Sequence, residues 1–134
     1  YKKYISREIK QWCEILAAKG KCYVQHACGH VAGLIRLMKE DGVFAVESIS
    51  PPPTGNIALC EARKKVGNDF GIIGGIEPVH FLRLDIDELA VYTRKVIEDG
   101  KGGPFVLANS DSCPPGVTME KFALVAHIAT EYSL

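Results

Sequence analysis

Helix-spaced and strand-like segments alternate along this chain from end to end, and that alternation limits its fold more than any other feature. Residues 1–19 place Ile5, Ile9, Trp12 and Leu16 at three- to four-residue steps, one face of a helix. Gly20 ends that helix in the way C-terminal glycines commonly do. The run from Cys22 to Cys28 is too short for a helix and reads as a strand. Helical spacing returns over 31–40 with Val31, Leu34, Ile35 and Met38, and Gly42 closes it. A second strand spans 43–49, and the prolines at 51–53 then forbid regular structure. A helix over 56–66, a glycine-rich strand over 70–76 and an apolar loop over 77–84 follow. Asp85, with Glu88 three residues on, is a capping-box start for a helix over 87–99. A fourth strand at 105–108, a loop over 109–116 and a helix capped by Thr118 complete the chain.

Strands alternating with helices imply parallel pairing through right-handed crossovers. Two α/β architectures fit: a small open sheet, or half of a TIM (β/α)8 barrel, which in full takes roughly 250 residues. The 134 residues form a single domain, with no linker or low-complexity stretch to divide it. Sixteen basic and sixteen acidic residues leave no net charge. A nucleic-acid binder would show a basic excess. A 47% hydrophobic content argues against disorder. No apolar run reaches the roughly 18 residues that span a bilayer, and the opening YKKYISREIK is too charged for a signal peptide. Five scattered cysteines give no disulfide framework, so a reduced, cytoplasmic setting is expected. A first residue of Tyr rather than Met leaves a longer parent chain as an expectation.

In parallel α/β folds ligands bind beyond the carboxyl ends of the strands. Here those ends carry His26 to His30, Glu47-Ser48, Gly74 to Glu77, and Asn109 to Cys113. His26 and Cys28 lie two apart on a strand, which places both on one face. Imidazole nitrogen and thiolate sulfur are both zinc ligands, and Asp111 or Cys113 could supply a third. The blander alternative is a hydrogen-bonded histidine beside a small buried cysteine. His30, His80 and His127 read as structural, and Cys13 and Cys60 as packing residues. Gly74-Gly75 could admit a ligand to the backbone, although a tight strand end is the commoner reason for glycine. No dinucleotide, Walker or nucleophile-elbow motif is present.

Four short motifs in order resemble the C-terminal half of the uroporphyrinogen decarboxylase superfamily. They are Gly20-Lys21, His26-Ala27-Cys28-Gly29, Gly74-Gly75-Ile76-Glu77 and the loop from Asp111 to Val117. The resemblance covers nearly the whole chain but only half the family's barrel. It implies the C-terminal half of a TIM (β/α)8 barrel, four parallel strands alternating with helices, with its pocket at the strand ends. Two chemistries occur in that family. The decarboxylases of porphyrin metabolism use no metal, grip substrate carboxylates with arginines from the N-terminal half, and carry a last-loop histidine. The cobamide-dependent methyltransferases bind zinc through His-x-Cys and a later cysteine, and pass methyl from a methyl-corrinoid to a thiol.

His26-Ala27-Cys28 is similar to the methyltransferase branch. Asp111 stands where the decarboxylases have histidine and where the later methyltransferase cysteine aligns; Cys113 lies two residues beyond. The resemblance therefore implies zinc on His26, Cys28 and Cys113 or Asp111, with Glu47 and Asp111 as catalytic carboxylates. Gly75, Glu77 and Asn109 would border substrate. A corrinoid protein is the implied donor partner, and activity would need an N-terminal half. A non-catalytic half-barrel assembly module is the third alternative. Half a barrel has two open strand edges and an exposed inner face, assigned here to Val24, Val46, Ile72 or Ile73, and Val106 or Leu107. A homodimer, or a complementary N-terminal half, is expected to cover them.

Overall fold

The computed structural model describes residues 1–132. Ten elements follow one another: α1 (Ser6–Ala17), β1 (Val24–His26), α2 (Ile35–Glu40), β2 (Ala45–Ile49), α3 (Leu59–Val66), β3 (Gly71–Ile76), α4 (Pro78–Arg83), α5 (Ile86–Gly100), β4 (Phe105–Asn109) and α6 (Met119–Glu131). The four strands form one sheet in the order β1-β2-β3-β4, every neighbouring pair parallel. Strand order equal to chain order, with a helix in each crossover, is the arrangement of half a TIM barrel.

The register separates the two faces of the sheet. Gln25, Val46, Ile72 and Phe105 lie side by side in one row across the four strands. Val46 and Ile72 are fully buried there, in one cluster with Ile35 and Met38 of α2, Leu59, Ala62 and Val66 of α3, and Leu89 and Val96 of α5. The next row is His26, Glu47, Ile73 and Val106. Val106 is 55% exposed and Val24, two residues before His26, is 42% exposed. Among the described residues this second face is left uncovered at Val24 and Val106. Val46 and Ile72 therefore belong to the core beneath the helices rather than to the inner face; of the residues expected on that face, Val24, Ile73 and Val106 occupy it.

Local chemistry sets the helix ends. In α5, Asp85 accepts from the Glu88 N–H at 2.9 Å and Glu88 accepts from the Asp85 N–H at 3.1 Å, a complete capping box. Thr118 stands at the N-cap of α6 but its hydroxyl makes no capping bond. The stretch 77–84, expected as a loop, holds α4: Pro78 supplies a pre-set φ at the first turn, and the Glu77 carboxylate accepts from the Val79 and His80 N–H groups. β1 is shorter than expected and stops at His26. One further ladder bond joins the Ala27 N–H to the Glu47 carbonyl at 3.1 Å before the chain turns at Gly29, φ 88°.

The upper ends of β2, β3 and β4 are tied together by one buried serine. The Ser110 hydroxyl donates to the Ile49 carbonyl and accepts from the Gly75 N–H at 2.8 Å. At the opposite end Arg63 of α3, a buried guanidinium, donates to the carbonyls of Gly67 (3.0 Å), Phe70 (2.7 Å) and Pro104 (2.8 Å). It thereby joins the entry to β3 to the entry to β4. No helix among the described residues is long and apolar enough to cross a membrane.

Candidate functional site

The pairing of β1 with β2 brings His26 beside Glu47 on the uncovered face. His26 Nδ1 is hydrogen-bonded to Glu47 Oε2. A carboxylate only accepts, so Nδ1 carries the proton and, in the neutral ring, the Nε2 lone pair is free. The imidazole side chain is 57% exposed and the Glu47 side chain 30%.

Ser48 adds a third group. Its backbone has φ 77°, the one non-glycine residue in the left-handed region among the described residues, and the β2–β3 register slips between Glu47 and Ile49. A serine held there is strained by about 1–3 kcal/mol. The distortion places its hydroxyl where it donates to Glu47 Oε1 at 3.2 Å and sits 3.5 Å from His26 Nδ1. Both carboxylate oxygens of Glu47 are thus engaged, one by the imidazole and one by the serine. A carboxylate that orients an imidazole through Nδ1–H is the outer partner commonly found behind a metal-bound histidine.

Cys28 lies two residues past the end of β1, so strand alternation fixes the face of His26 but not of Cys28. Its thiol is free and the residue exposed, as are Cys22 and Cys113. Cys13 is different: it is buried, and burial followed by the Asp41 carboxylate pushes its thiol up from the ordinary value, which suits a packing residue.

The other expected site residues fall elsewhere. Asp111 and Cys113 follow β4, at the far edge of the sheet from β1. Asp111 Oδ1 accepts from the Ser112 N–H at 2.6 Å, and the Asn109 side-chain amide donates to the Asp111 carbonyl, so Asn109 shapes this loop from within. Among the described residues, no three His, Cys, Asp or Glu side chains gather closely enough to hold a metal. Glu77 is fully buried; Thr54, Val79 and His80 all donate to its carboxylate, which leaves it to cap α4 rather than to border substrate. At Gly75, φ 101°, a Cβ would lie 2.5 Å from Val96 Cγ1 and 3.1 Å from Leu59 Cδ2. The missing side chain makes room for α3 and α5, not for a ligand on the uncovered face. A groove of about 600 Å³, walled by His80, Leu84, Val91 and Tyr92 among others, contains none of the residues singled out by their chemistry.

Ser48 and the His26–Glu47 pairing are what sequence reading could not fix. The dipeptide Glu47-Ser48 was visible as a polar strand end; the left-handed turn that aims the hydroxyl at Glu47 has no signal in a serine.

No family model matches the sequence, and no curated protein matches it. Its fold is similar to that of a methyltransferase from Methanosarcina mazei, with a TM-score of 0.78 at 16% identity. The matched region covers 98% of this chain and 36% of that protein, so the chain spans little more than a third of its structural relative.

Proposed function

We propose that this chain is the zinc-site half of a corrinoid-dependent methyltransferase of the uroporphyrinogen decarboxylase superfamily, transferring methyl to a thiol. The observation that carries the reading is the His26–Glu47 hydrogen bond, which leaves Nε2 free at the same strand end as the exposed Cys28 thiol. The methyltransferase fold of the structural neighbour supports it, as does the position beyond the carboxyl ends of parallel strands.

His26 Nε2 and Cys28 Sγ would be two protein ligands, a donor pair zinc favours. Asp111 or Cys113, at the end of β4, would have to supply the third, and a catalytic site keeps the fourth position open for substrate. Bound zinc would lower the pKa of an acceptor thiol so that its thiolate forms near neutral pH. A methyl-corrinoid, delivered to the same strand ends, would supply the methyl group, and the chain's own part would be to hold the metal on His26 and Cys28 and so position the acceptor thiol. Glu47, braced by Ser48, holds the imidazole tautomer and orientation. The decarboxylase alternative needs cations facing substrate carboxylates; the uncovered row of His26, Glu47, Ile73 and Val106 supplies neither Lys nor Arg.

Titration against a chromophoric zinc chelator tests this. The chain is expected to compete for zinc, with His26→Ala and Cys28→Ser each weakening it at least tenfold. Glu47→Gln, which changes the partner of His26 Nδ1, should weaken it by about 10-fold. Zinc uptake that is absent, or unchanged in both ligand variants, would remove the methyltransferase reading.

A further inference from the structure

We infer that the one-residue bulge of β2 is a built device: it seats Ser48 beside Glu47, against the backbone's own preference, so that the serine acts as a positioning residue for the His26 imidazole. Its zinc consequence rests on the metal reading above; the positioning itself does not.

The register shows what the bulge does. Glu47 pairs with Ile73, and Ile49, two residues on, pairs with Gly74, so β2 holds one residue more than β3 over this step. Side chains of a regular strand alternate between faces. An unbroken β2 would therefore follow Glu47 with Ser48 beneath the helices, and would put Ile49 on the face of His26 and Glu47. The extra residue reverses that. Ile49 is fully buried, in the same cluster as Val46 and Ile72. Ser48 is left beside Glu47, its hydroxyl 3.2 Å from Glu47 Oε1 and 3.5 Å from His26 Nδ1. Two consecutive side chains thus converge on one imidazole, which an unbroken strand cannot arrange. Bulges that re-aim a side chain recur beside functional sites. With Oε1 held by the hydroxyl, Oε2 faces the imidazole and keeps its proton on Nδ1.

The strained turn is held from the far side. A left-handed serine persists only where its surroundings over-determine it. Here the next residue is pinned: the Ile49 carbonyl accepts from the buried Ser110 hydroxyl, whose oxygen accepts in turn from the Gly75 N–H at 2.8 Å. At Gly74 a Cβ would lie 3.2 Å from the Ile49 nitrogen, 3.2 Å from the Ile49 carbonyl oxygen and 3.1 Å from Ser110 Oγ. β3 therefore approaches the bulge more closely than a side chain there would allow. Glycine would satisfy the φ of 77° at position 48 without strain. Serine supplies the hydroxyl that glycine lacks.

Two readouts on the metal-free chain test this: urea denaturation, and the tautomer of the neutral His26 ring from two-bond 1H–15N NMR spectra. The wild type is expected to hold the Nδ1–H tautomer. Ser48→Gly removes strain and hydroxyl together, so it should unfold at no lower urea concentration than wild type while the Nε2–H tautomer grows. Ser48→Ala keeps the strain; it should show the same tautomer change and unfold at lower urea than Ser48→Gly. Ser48→Thr keeps the hydroxyl on a β-branched side chain unsuited to a positive φ. It should hold the tautomer and unfold at lower urea than wild type. A serine that is only structural would move both readouts together. A tautomer unchanged in Ser48→Gly and Ser48→Ala, or a Ser48→Gly that loses stability along with the tautomer, overturns the inference. Zinc separates the two readings. In the chelator titration above, Ser48→Gly should bind zinc up to about 10-fold more weakly. A wild type that takes up no zinc yet shows the split between stability and tautomer overturns the metal reading alone. Zinc taken up equally by wild type and Ser48→Gly, with the tautomer unmoved, overturns the role of Ser48 alone.

Discussion

Arg63→Ala is expected to lower the unfolding free energy by about 3–5 kcal/mol, a large share of the 5–15 kcal/mol typical of a domain. Arg63 is 8% exposed, and its guanidinium donates to three carbonyls in two separate turns, those of Gly67 and Phe70 before β3 and that of Pro104 before β4. A hydrogen bond to a charged group contributes roughly 1.5–3 kcal/mol, and a buried carbonyl left without a donor costs further. Burial lowers the Arg63 pKa from its ordinary value, but a guanidinium stays charged at neutral pH. A Cβ at Gly103 would lie 2.5 Å from the Arg63 Nη1 atom, so the fork fills the space between the turns, while the Pro104 carbonyl keeps the Ile72 N–H as a second donor at 3.1 Å. Arg63→Lys should recover only part of the loss, because one ammonium cannot span both turns in the fork's geometry. Urea denaturation measures both variants. A change below about 1 kcal/mol in Arg63→Ala would show that the three carbonyls find water instead.

The second large effect is expected at Glu77. Glu77→Ala removes the acceptor for the Val79 and His80 N–H groups and for the Thr54 hydroxyl, part-buried donors gathered on a fully buried carboxylate. Loss of an N-cap costs about 0.5–2 kcal/mol. A half-buried hydroxyl and amides without partners raise the total to about 3 kcal/mol. Because α4 spans only Pro78–Arg83, the damage should be local as well as global. Amide exchange at Val79 and His80 should accelerate more than exchange at Val46 or Ile72 in the sheet. Glu77→Gln keeps one acceptor oxygen and should lose less than half as much. Equal protection of Val79 and His80 in wild type and Glu77→Ala would mean that Pro78 alone holds the helix.

The alternation of elements was legible because glycines, prolines and the period of apolar residues mark most boundaries independently. The capping box at Asp85 and Glu88 shows how well a start signal survives when both partners lie within one turn. α4 escaped because its run from Pro78 to Leu84 has few polar positions to set a period, and because its cap is a glutamate. The Glu77-Pro78 pair, a carboxylate before an N1 proline, was the available signal. The faces of β2 and β3 were not readable for a different reason. Strands of a parallel sheet carry continuous apolar runs, so alternation cannot say that Val46 and Ile72 lie under the helices while Ile73 does not. Arg63 reads as a solvated helix residue until β3 and β4 are packed around it.

The candidate site was legible in part. His26 and Glu47 both stood out as polar strand ends, but their contact depends on the β1–β2 register, a tertiary property. Cys28 was placed by strand alternation that stops at His26. Gly75 and Glu77 attracted attention by their position in a strand-end motif, where one makes room for helices and the other caps one.

That His26 and Cys28 bind one metal together is tested most directly by the electronic spectrum of the chain loaded with cobalt(II) in place of zinc. Tetrahedral cobalt with a thiolate ligand gives intense visible d–d bands and a near-ultraviolet sulfur-to-metal charge-transfer band. Both are expected in the wild type. Cys28→Ser should reduce the charge-transfer band while leaving visible bands, and His26→Ala should weaken the metal's retention. A pale spectrum indistinguishable from aqueous cobalt, the same in wild type and Cys28→Ser, would contradict a metal site at the end of β1.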